Sequence, residues 1–453
     1  MNPTVDASHE IVRETELLVP FEQGFTSRPL VGLEAEKFGV FDDGTPLRYH
    51  AAAGGTDVTT LFDELVSRFG WSAAGESEGS PRISLARGKA SITLEPGSQF
   101  ELSGSPHDDV HAVVAEVRAH VTELATLERA SGLNWVALGF HPFAKRDDLD
   151  WVPKSRYPIM RAYFPARGRF GIDMMQRTST VQANFDFADE RDAMAKLRVA
   201  LPMAIVVQAM FANSPVIEGT RRPIKSQRAG VWLDVDASRS GLLPFGWKRG
   251  ASLQEYVAWA LDAPMFVIKR DGKAIENTHQ SFRTFFRDGL AGHRATAADW
   301  ESHLNTMFPE VRLKRTLEVR SADAVPSRWS GALPAIWTGV LYDPGALVEA
   351  DALLHAHGFE AWTAARRDVP THGLDAQVGG QRLQVLAQRL IEIADGGLAR
   401  RKRVDASGLD ERTYLDPVRE TVARGQTIGD AVLGDWNESM TDARRVLIER
   451  SRY

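Results

Sequence analysis

Four short segments of the chain carry polar side chains at every second position, and this alternation limits what the chain can fold into. They are residues 32–40, 93–104, 180–187 and 313–321. In a β-strand, successive side chains point to opposite faces, so each segment has one polar and one apolar face. A sheet of such strands buries one face against a core and leaves the other open. We therefore predict an α+β fold, an open antiparallel sheet with helices packed on its apolar side.

The polar faces of these segments bring together side chains that bind cations and phosphate groups. Carboxylates that lie close together repel one another, and burying them is costly unless a metal ion or an arginine neutralises them. Oxygen ligands of this kind favour Mg²⁺ or Mn²⁺, and protein-bound Mg²⁺ usually also contacts nucleotide phosphates. We therefore predict a metal–ATP site on this face. Its candidate residues are Glu34, Glu36, Glu95, Glu101, Gln182, Asn184, Glu318 and Arg320.

Each segment taken alone has a simpler explanation. A pair such as Glu34 and Glu36 is typical of an exposed strand face, and Glu318 with Arg320 is typical of a cross-strand ion pair. The functional alternative for the second pair is that Glu318 holds a metal ion while Arg320 stabilises a phosphoryl group in transfer. The occurrence of all four alternating segments in one chain favours the functional explanation.

The composition excludes several other kinds of site. The chain has 453 residues, a formal net charge of −6 and no cysteine. Without cysteine there are no disulfides, no thiolate–zinc sites and no cysteine nucleophile. The net negative charge argues against a general nucleic-acid-binding protein. No Gly-x4-Gly-Lys-Ser/Thr loop is present, so ATP must be held by metal ions and basic side chains.

Helical patterns separate the alternating segments and dominate the C-terminal part. The apolar stretch at residues 199–212 contains Pro202 and Gln208 and predicts a buried helix rather than a membrane span. The N-terminus lacks the apolar segment of a secretory signal, so we expect a cytoplasmic protein. We predict a catalytic body at residues 1–345 and a helical portion at residues 346–453 packed on the same body. We expect small-molecule partners, no nucleic acid or membrane, and a monomer or homodimer.

The same segments, with the stretches between them, resemble the plant-type and proteobacterial glutamate–cysteine ligases. This resemblance implies the fold of the glutamine synthetase catalytic domain and the guanido kinases. It also implies that ATP phosphorylates the γ-carboxylate of glutamate and that the amine of cysteine attacks the acyl phosphate, giving γ-glutamylcysteine, ADP and phosphate. Besides the four strands, the matching stretches are residues 152–187, 212–219, 231–245, 256–273, 303–323 and 408–417.

The resemblance also implies a role for each matching residue. Arg320, Glu318 and Asn184 are the expected catalytic residues, with Arg320 on the transferred phosphoryl group and Asn184 orienting substrate or metal. Arg228 is expected to hold the carboxylate of glutamate. The other expected substrate contacts are Arg177, Gln182 and Lys314. The expected Mg²⁺ or Mn²⁺ ligands are Glu34, Glu36, Glu95, Glu101 and Glu318.

Several residues depart from the pattern usual in this family. Ser98 stands where a glycine is usual, in a turn that Pro96-Gly97 predicts. Ser321, Ala324 and Val325 replace glycines after the fourth strand, at a place where backbone can approach substrate closely. These departures leave two alternatives open. One is a γ-glutamyl ligase that uses a different acceptor amine, and the other is a relative without catalytic activity.

Overall fold

The structure, a computed structural model, describes residues 8–51, 55–270 and 272–453. Within those residues, nine strands form one sheet. They are β1 (Val31–Phe41), β2 (Ser72–Gly75), β3 (Arg82–Arg87), β4 (Ala90–Leu94), β5 (Phe100–Ser103), β6 (Leu133–Val136), β7 (Val181–Phe185), β8 (Val311–Leu313) and β9 (Leu317–Val319). Their order is β8-β9-β7-β1-β5-β4-β3-β2, and β6 pairs with the end of β1. Neighbouring strands are antiparallel throughout, so the predicted sheet is confirmed.

The helices lie mainly between the strands and after the last one. Before β8 they span Val19–Glu22, Val58–Phe69, Val110–Ser131, Tyr157–Tyr163, Gly171–Arg177, Glu190–Met210, Gln227–Val231, Leu253–Asp262, Phe282–Asp288 and Ala297–Leu304. After β9 they span Ser327–Ser330, Ala332–Leu341, Pro344–Leu354, Phe359–His372, Leu383–Arg401, Asp416–Ala423, Ile428–Leu433 and Ala443–Arg450. Short two-stranded ribbons pair Val216–Ile217 with Thr220–Arg221, Ser240–Gly241 with Phe308–Pro309, Val267–Arg270 with Lys273–Glu276 and Gln377–Val378 with Gln381–Arg382.

Helices cover the apolar face of the sheet, as the alternation predicts. Leu33 and Ala35 of β1 and Ala183 of β7 are buried there. The helix Ala332–Leu341 packs against β1 and β7, and the helix Glu190–Met210 packs against β8 and β9. Burying this face supplies the main stabilising term for the sheet, since apolar burial yields roughly 25 cal/mol per Å². The polar face is therefore available to bind ligands.

The helix Glu190–Met210 is long and apolar enough to resemble a membrane span. However, 89% of its most apolar window is buried inside the protein. Asp189 caps its N-terminus by accepting a hydrogen bond from the backbone N–H of Asp192. The prediction of a buried core helix is therefore confirmed.

The C-terminal helices pack directly on the body of the protein. Where the helix Leu383–Arg401 crosses Ala332–Leu341, a Cβ atom added at Gly397 would lie 1.8 Å from the carbonyl oxygen of Gly339. Backbone therefore meets backbone at this crossing, which requires glycine. The C-terminal part is helical, as predicted, apart from the short ribbon at residues 377–382. The division near residue 345 stays a prediction.

Candidate active site

Strand register aligns the predicted polar residues in rows across the open face of the sheet. Directly opposed residues of antiparallel strands lie on the same face. Glu36 of β1 lies opposite Glu101 of β5, and Glu101 lies opposite Thr93 of β4. Glu34, two residues before Glu36, lies opposite Gln182 of β7. These rows form the acidic half of the face.

A third row has a different charge. Glu318 of β9 lies between Asn184 of β7 and Arg312 of β8. The side-chain amide of Asn184 donates a hydrogen bond of 2.8 Å to Glu34, which links this row to the acidic half. The candidates Glu34, Glu36, Gln182, Asn184 and Glu318 therefore do lie side by side on one face, as the sequence predicts.

A cavity of about 300 Å³ lies over this face. The sheet supplies its floor, and helices and loops supply the opposite wall. Its lining includes the sheet residues Glu34, Glu36, Glu101, Gln182 and Arg312, with Arg320 directly after β9 and with Glu95 and Gln99 from the turn between β4 and β5. The facing wall includes Arg156, Tyr157, Met160, Met174, Met175, Arg228, Trp232 and Phe308. The cavity thus has carboxylates, arginines and an apolar surface in reach of one ligand.

The carboxylates of the acidic half have neutral hydrogen-bond partners. Glu34 accepts a hydrogen bond from the side-chain amide of Gln182 at 3.1 Å, in addition to that from Asn184. Glu36 accepts one from the backbone N–H of Thr180 at 3.0 Å. The hydroxyl of Thr93 donates to Glu101, and the hydroxyl of Ser103 does so at 3.2 Å. Their negative charge is therefore not balanced by these contacts.

Burial and mutual repulsion raise the pKa of these carboxyl groups. Burial, followed by the charges of Glu318 and Glu101, raises the pKa of Glu34 to about 7. Burial and then the nearby Glu95 raise the pKa of Glu36 well above its ordinary value, and they raise the pKa of Glu101 as well. A bound cation would reverse these shifts, because an opposite charge favours the ionised form.

The described residues contain no group of three or more Asp, Glu or His side chains placed to enclose a metal ion. The donor chemistry nevertheless suits one. Glu34, Glu36 and Glu101 are oxygen donors with raised pKa values and only neutral hydrogen-bond partners, and Mg²⁺ takes few carboxylates and keeps its other positions for water and phosphate. The donor chemistry of these three residues suits a divalent cation, although their side chains are not arranged to enclose one.

Glu318 differs from the other glutamates because cations surround it. Arg312 binds both of its oxygens, with Nε 2.9 Å from Oε2 and Nη2 2.9 Å from Oε1. Arg320 also donates to Oε1, and Nζ of Lys314 lies 3.5 Å from Oε2. Burial opposes the ionisation of Glu318, but the arginines and the lysine hold its pKa well below the ordinary value. The cross-strand ion pair considered from the sequence is thus present, and both oxygens of Glu318 accept hydrogen bonds from cationic groups; its role as a metal ligand stays a prediction.

Two arginines at the cavity differ in whether their guanidinium groups have N–H donors that are not already hydrogen-bonded. Arg312 also donates to the carbonyl oxygens of Asn305 at 3.1 Å and Met307 at 3.0 Å, so all its N–H groups are used. Arg320 contacts only Glu318 among the hydrogen-bond acceptors of the described residues. Arg312 therefore links Glu318 to the segment around Asn305 and Met307, and Arg320 has N–H donors available to a ligand.

Arg228 lines the cavity and is anchored by the chain segment that follows β9. It donates to the carbonyl oxygens of Arg320 at 2.8 Å and Ser321 at 3.0 Å. Its buried Nε has no hydrogen-bond partner among the described residues. The carboxylate of Asp323 lies 4.0 Å away and supports its charge. An acidic ligand would complete the contacts of Arg228.

Two predicted substrate contacts lie outside this cavity. Arg177 pairs with Asp173 at 3.3 Å and Glu218 at 3.1 Å, and its guanidinium stands over the ring of Phe140. Lys314 donates to the side chain of Asn305 at 3.0 Å, at the hairpin between β8 and β9. Contacts of either residue with substrate stay predictions.

Other lining residues were not predicted from the sequence. Arg312 lies between the buried Val311 and Leu313, and this alternation is a signal that could have placed it on the polar face. Met160 and Met174 come from helices, where the alternation of the strands gives no information. Only the packing of those helices over the sheet identifies them.

The turn between β4 and β5 places Glu95 at the edge of the cavity. The backbone N–H of Glu95 donates to the carbonyl oxygen of Gln99 at 3.0 Å, which confirms the predicted turn. A Cβ atom added at Gly97 would lie 2.3 Å from the carbonyl oxygen of Gln176, so only glycine fits there. Ser98 has a φ of +66°, in the left-handed region. The glycine that is usual in the family at this position therefore suits the left-handed backbone conformation.

Replacing Ser98 with glycine is expected to stabilise the protein by about 1 kcal/mol, since the left-handed conformation is costly for a residue with a Cβ atom. The hydrogen bond of its hydroxyl to Asp150 is long, at 3.3 Å, and its loss offsets little. The measurement is the free energy of unfolding in denaturant. Ser98→Ala is the matched control, because it removes the hydroxyl and keeps the Cβ atom. Equal stability of the two variants would contradict the backbone explanation.

The residues that replace glycines after β9 do not line the cavity. The hydroxyl of Ser321 donates to the carbonyl oxygen of Ala204 at 2.9 Å, inside the protein. Ala324 and Val325 are buried as well. Because none of the three side chains lines the cavity, these departures give no reason to expect a different acceptor amine.

Sequence and structure comparisons find similarity over nearly the whole chain. The profile of glutamate-cysteine ligase family 2 (GCS2) matches residues 30–447. A chloroplastic glutamate–cysteine ligase of Brassica juncea is 38% identical over 96% of this chain and 84% of its own length. One of Arabidopsis thaliana is 39% identical over 90% of this chain and 77% of its own length. A crystal structure of glutamate–cysteine ligase from Francisella tularensis in complex with AMP covers 94% of this chain and 88% of that chain, with a TM-score of 0.54. At 14% identity, this last likeness concerns the fold alone.

The same relatives overturn the expected compartment. Those of Brassica juncea and Arabidopsis thaliana are named as chloroplastic enzymes. The expectation of a cytoplasmic protein is therefore wrong. It rested on the lack of an apolar secretory segment, which plastid transit segments also lack because they are amphipathic and rich in serine and arginine.

Proposed function

The chain belongs to glutamate-cysteine ligase family 2, and from that premise we propose how its cavity joins glutamate to cysteine. The family resemblance of the sequence is confirmed, and with it an ATP-dependent ligase that forms γ-glutamylcysteine, the thiol dipeptide of glutathione biosynthesis. The observation that supports this cavity as the site is a group of carboxylates with only neutral hydrogen-bond partners beside an arginine with free donors. Small-molecule substrates fit such a site. The oligomeric state stays a prediction, as does the absence of nucleic-acid and membrane partners.

The reaction proceeds in two transfers. A γ-carboxylate oxygen of glutamate attacks the terminal phosphorus of ATP, the bond to ADP breaks, and γ-glutamyl phosphate forms. The cysteine amine then attacks the acyl carbon, phosphate leaves, and the amine loses a proton. Negative charge on the phosphoryl oxygens accompanies both transfers, so cationic groups placed to meet that charge accelerate them.

Arg320 is the protein group placed to stabilise the transferred phosphoryl oxygens. Its side chain is held at one end by Glu318 and lines the cavity with its remaining donors. The Arg312–Glu318 pair keeps this end fixed, because the two residues share two parallel hydrogen bonds and Arg312 is tied to the segment around Asn305. A planar guanidinium fixed in this way binds phosphoryl oxygens without reorganising.

The carboxylates Glu34, Glu36 and Glu101, with Glu95 at the rim, would hold Mg²⁺. When bound, Mg²⁺ neutralises the phosphates of ATP and polarises them for transfer. The buried Oε1 of Gln182 has no hydrogen-bond partner among the described residues and is available to the same ligand. Glu318 contributes to the transfer by holding Arg320 in place, since its oxygens accept hydrogen bonds from Arg312 and Arg320.

Arg228 is placed to bind a carboxylate of glutamate. Its guanidinium borders the cavity between the acidic floor and Trp232, and its Nε is unpaired. Asn184 acts at one remove, since its side chain donates to Glu34 and accepts from the hydroxyl of Thr316 at 3.2 Å. It orients Glu34 rather than lining the cavity itself.

Product mass after incubation with ATP, Mg²⁺ and glutamate, with and without cysteine, tests the function. We expect γ-glutamylcysteine only when ATP and cysteine are both present. Reactions without ATP are the control. Phosphate release without a dipeptide would contradict the second transfer, and no reaction at all would contradict both.

The metal-free protein is expected to lose stability as pH rises from about 4.5 to about 7, through Glu34. Its pKa is 4.5 ordinarily and about 7 in the folded protein. Across that window the folded state keeps a proton that the unfolded state has lost, so rising pH favours unfolding, and the loss levels off above the window. The measurement is the melting temperature in a chelator, compared with that of Glu34→Gln.

The difference in melting temperature between the two proteins cancels the pH dependence of the groups that do not interact with Glu34. The melting temperature of Glu34→Gln should rise relative to that of the wild type as pH increases across this window. Excess Mg²⁺ should reduce this difference in melting temperature near pH 7. A difference in melting temperature that stays constant with pH would show that folding does not disfavour the ionised form of Glu34.

A further inference from the structure

Asp323 is a buried carboxylate that none of the proposed roles uses. It lies four residues after the end of β9, in the segment whose carbonyl oxygens anchor Arg228, and only 1% of it is exposed. A Cβ atom added at Gly139 would lie 2.3 Å from its Cγ, so the backbone encloses it closely. Asp323 does not line the cavity. Any effect of Asp323 on the reaction must therefore pass through a residue that does.

Asp323 accepts three hydrogen bonds from two other segments of the chain. Its Oδ2 accepts from the backbone N–H of Asn213 at 2.8 Å and from the hydroxyl of Ser214 at 2.6 Å. Its Oδ1 accepts from the hydroxyl of Ser226 at 3.0 Å. All three partners are donors, which suits an ionised carboxylate, because that group only accepts.

The two serine hydroxyls connect Asp323 to the helix that carries Arg228. Ser226 is the N-cap of the helix Gln227–Val231, and its hydroxyl accepts from a backbone N–H of the first turn at 2.9 Å. The hydroxyl of Ser214 accepts from the backbone N–H of Arg228 itself at 3.2 Å. A hydroxyl has a single proton, so when each of them donates to Asp323, its lone pairs are left for the helix. Asp323 thus orients both groups that cap the start of this helix.

The charge of Asp323 also acts on the guanidinium of the same arginine. Arg228 is 3% exposed, and burial lowers its pKa; the charge of Asp323 is the largest effect that opposes this change. Burial in turn raises the pKa of Asp323, and the charge of Arg228 opposes that rise. Nη1 of Arg228 lies 4.0 Å from Oδ1 of Asp323. A buried cation needs a compensating charge nearby, and Asp323 supplies it from outside the cavity.

We propose that Asp323 is a positioning residue that holds Arg228 in place for the carboxylate of glutamate. It does so by orienting the caps of the arginine's helix and by balancing the charge of its guanidinium. This inference rests on the proposed role of Arg228 in binding glutamate. A binding group is effective only when the residues behind it fix its geometry. The affinity for glutamate should therefore depend on Asp323, and the affinity for ATP should not.

The test replaces Asp323 with asparagine, which keeps the shape and removes the charge and one acceptor. The KM for glutamate should rise about tenfold, the effect of weakening a hydrogen bond to a charged group, while kcat and the KM for ATP stay within about twofold. A merely structural loss would reduce the amount of active enzyme and hence the apparent kcat, without this difference between the two KM values.

Asp57→Asn is the matched control. Asp57 is also buried, and it also accepts hydrogen bonds from a backbone N–H and a hydroxyl at the start of a helix. It does not line the cavity. This variant should lower the melting temperature and leave both KM values unchanged.

A second comparison makes the same change in an Arg228→Met background. If Asp323 acts through Arg228, then Asp323→Asn should weaken glutamate binding no further there, because the residue that it positions is gone. Calorimetric titration with glutamate is run beside the kinetics, so that a variant with low turnover still gives a dissociation constant.

The outcomes separate this inference from the function on which it rests. Wild-type affinity for glutamate in Arg228→Met would overturn the proposed role of Arg228, and this inference with it. If Arg228→Met weakens glutamate binding but Asp323→Asn does not, the inference alone is wrong. Equal rises in the KM for glutamate and for ATP, or a further loss in the Arg228→Met background, would also overturn it. Should Asp323→Asn fail to fold, Ser214→Ala removes one link between Asp323 and the helix and should raise the KM for glutamate about threefold, and an unchanged KM would overturn the inference.

Discussion

Replacing Arg320 with methionine is expected to lower kcat by about a thousandfold, the loss seen when a fixed cation is removed from a phosphoryl-transfer site. The fold should survive the change. Glu318 is buried, but Arg312 still holds both of its oxygens, so no unpaired charge is left behind. The measurement is steady-state dipeptide formation at saturating ATP and glutamate, together with a thermal melt.

Two companion variants separate charge from geometry. Arg320→Lys keeps the charge and loses the planar fork, so it should fall between the wild type and Arg320→Met. Arg312→Met removes the group that holds Glu318 and Asn305, so its main effect should be a lower melting temperature. An Arg320→Met enzyme with the wild-type kcat and a raised KM for glutamate would contradict the assignment and make Arg320 a substrate-binding group.

Replacing Glu36 with glutamine is expected to lower turnover by about a hundredfold or more while raising stability. The loss follows because a carboxylate that helps to hold a divalent cation is removed, and such a cation contributes several kcal/mol to transfer. The gain follows from the raised pKa of Glu36, whose charge opposes folding at neutral pH. The glutamine oxygen can still accept the hydrogen bond from Thr180.

The two opposite changes distinguish this prediction from ordinary damage to the fold. Kinetics and melting temperature are measured on the same preparation, and the gain in stability should vanish below the ordinary pKa of a glutamate. Glu64→Gln, on the exposed face of the helix Val58–Phe69, is the control and should change neither quantity. Wild-type turnover in Glu36→Gln would remove Glu36 from the metal site.

The strands of this protein could be predicted from sequence, and the strand pattern also predicted which polar residues lie together in the candidate site. The period of two in β1 and β7 fixes which side chains share a face, so the neighbourhood of Glu34, Gln182 and Asn184 follows from local pattern. The hairpin of β8 and β9 also has a local signal, since Arg312 lies in the same alternating pattern as Glu318. The prediction of a metal role for Glu318 did not use this signal and so omitted the arginine, six residues earlier, that pairs with Glu318 in the structure.

The facing wall of the cavity could not be predicted, for a related reason. A helix such as Gly171–Arg177 has most of its side chains buried, so its sequence does not distinguish a residue that lines a cavity from one that packs in the core. Met174 and Met175 are assigned by where the helix sits over the sheet. The departures at Ser321 and Val325 were also uninformative from sequence, since their meaning depends on which way each side chain points.

The glycine crossing of Ala332–Leu341 with Leu383–Arg401 has a practical consequence for anyone who shortens this protein. All ten residues of the first helix are buried, and that helix supports β1 and β7 from behind. A fragment that ends near residue 345 would expose its outer side to water as one continuous apolar strip, which favours aggregation. The smallest soluble form of the enzyme therefore includes the helix Leu383–Arg401, although this helix packs on the helices behind the sheet, Ala332–Leu341 and Glu190–Met210.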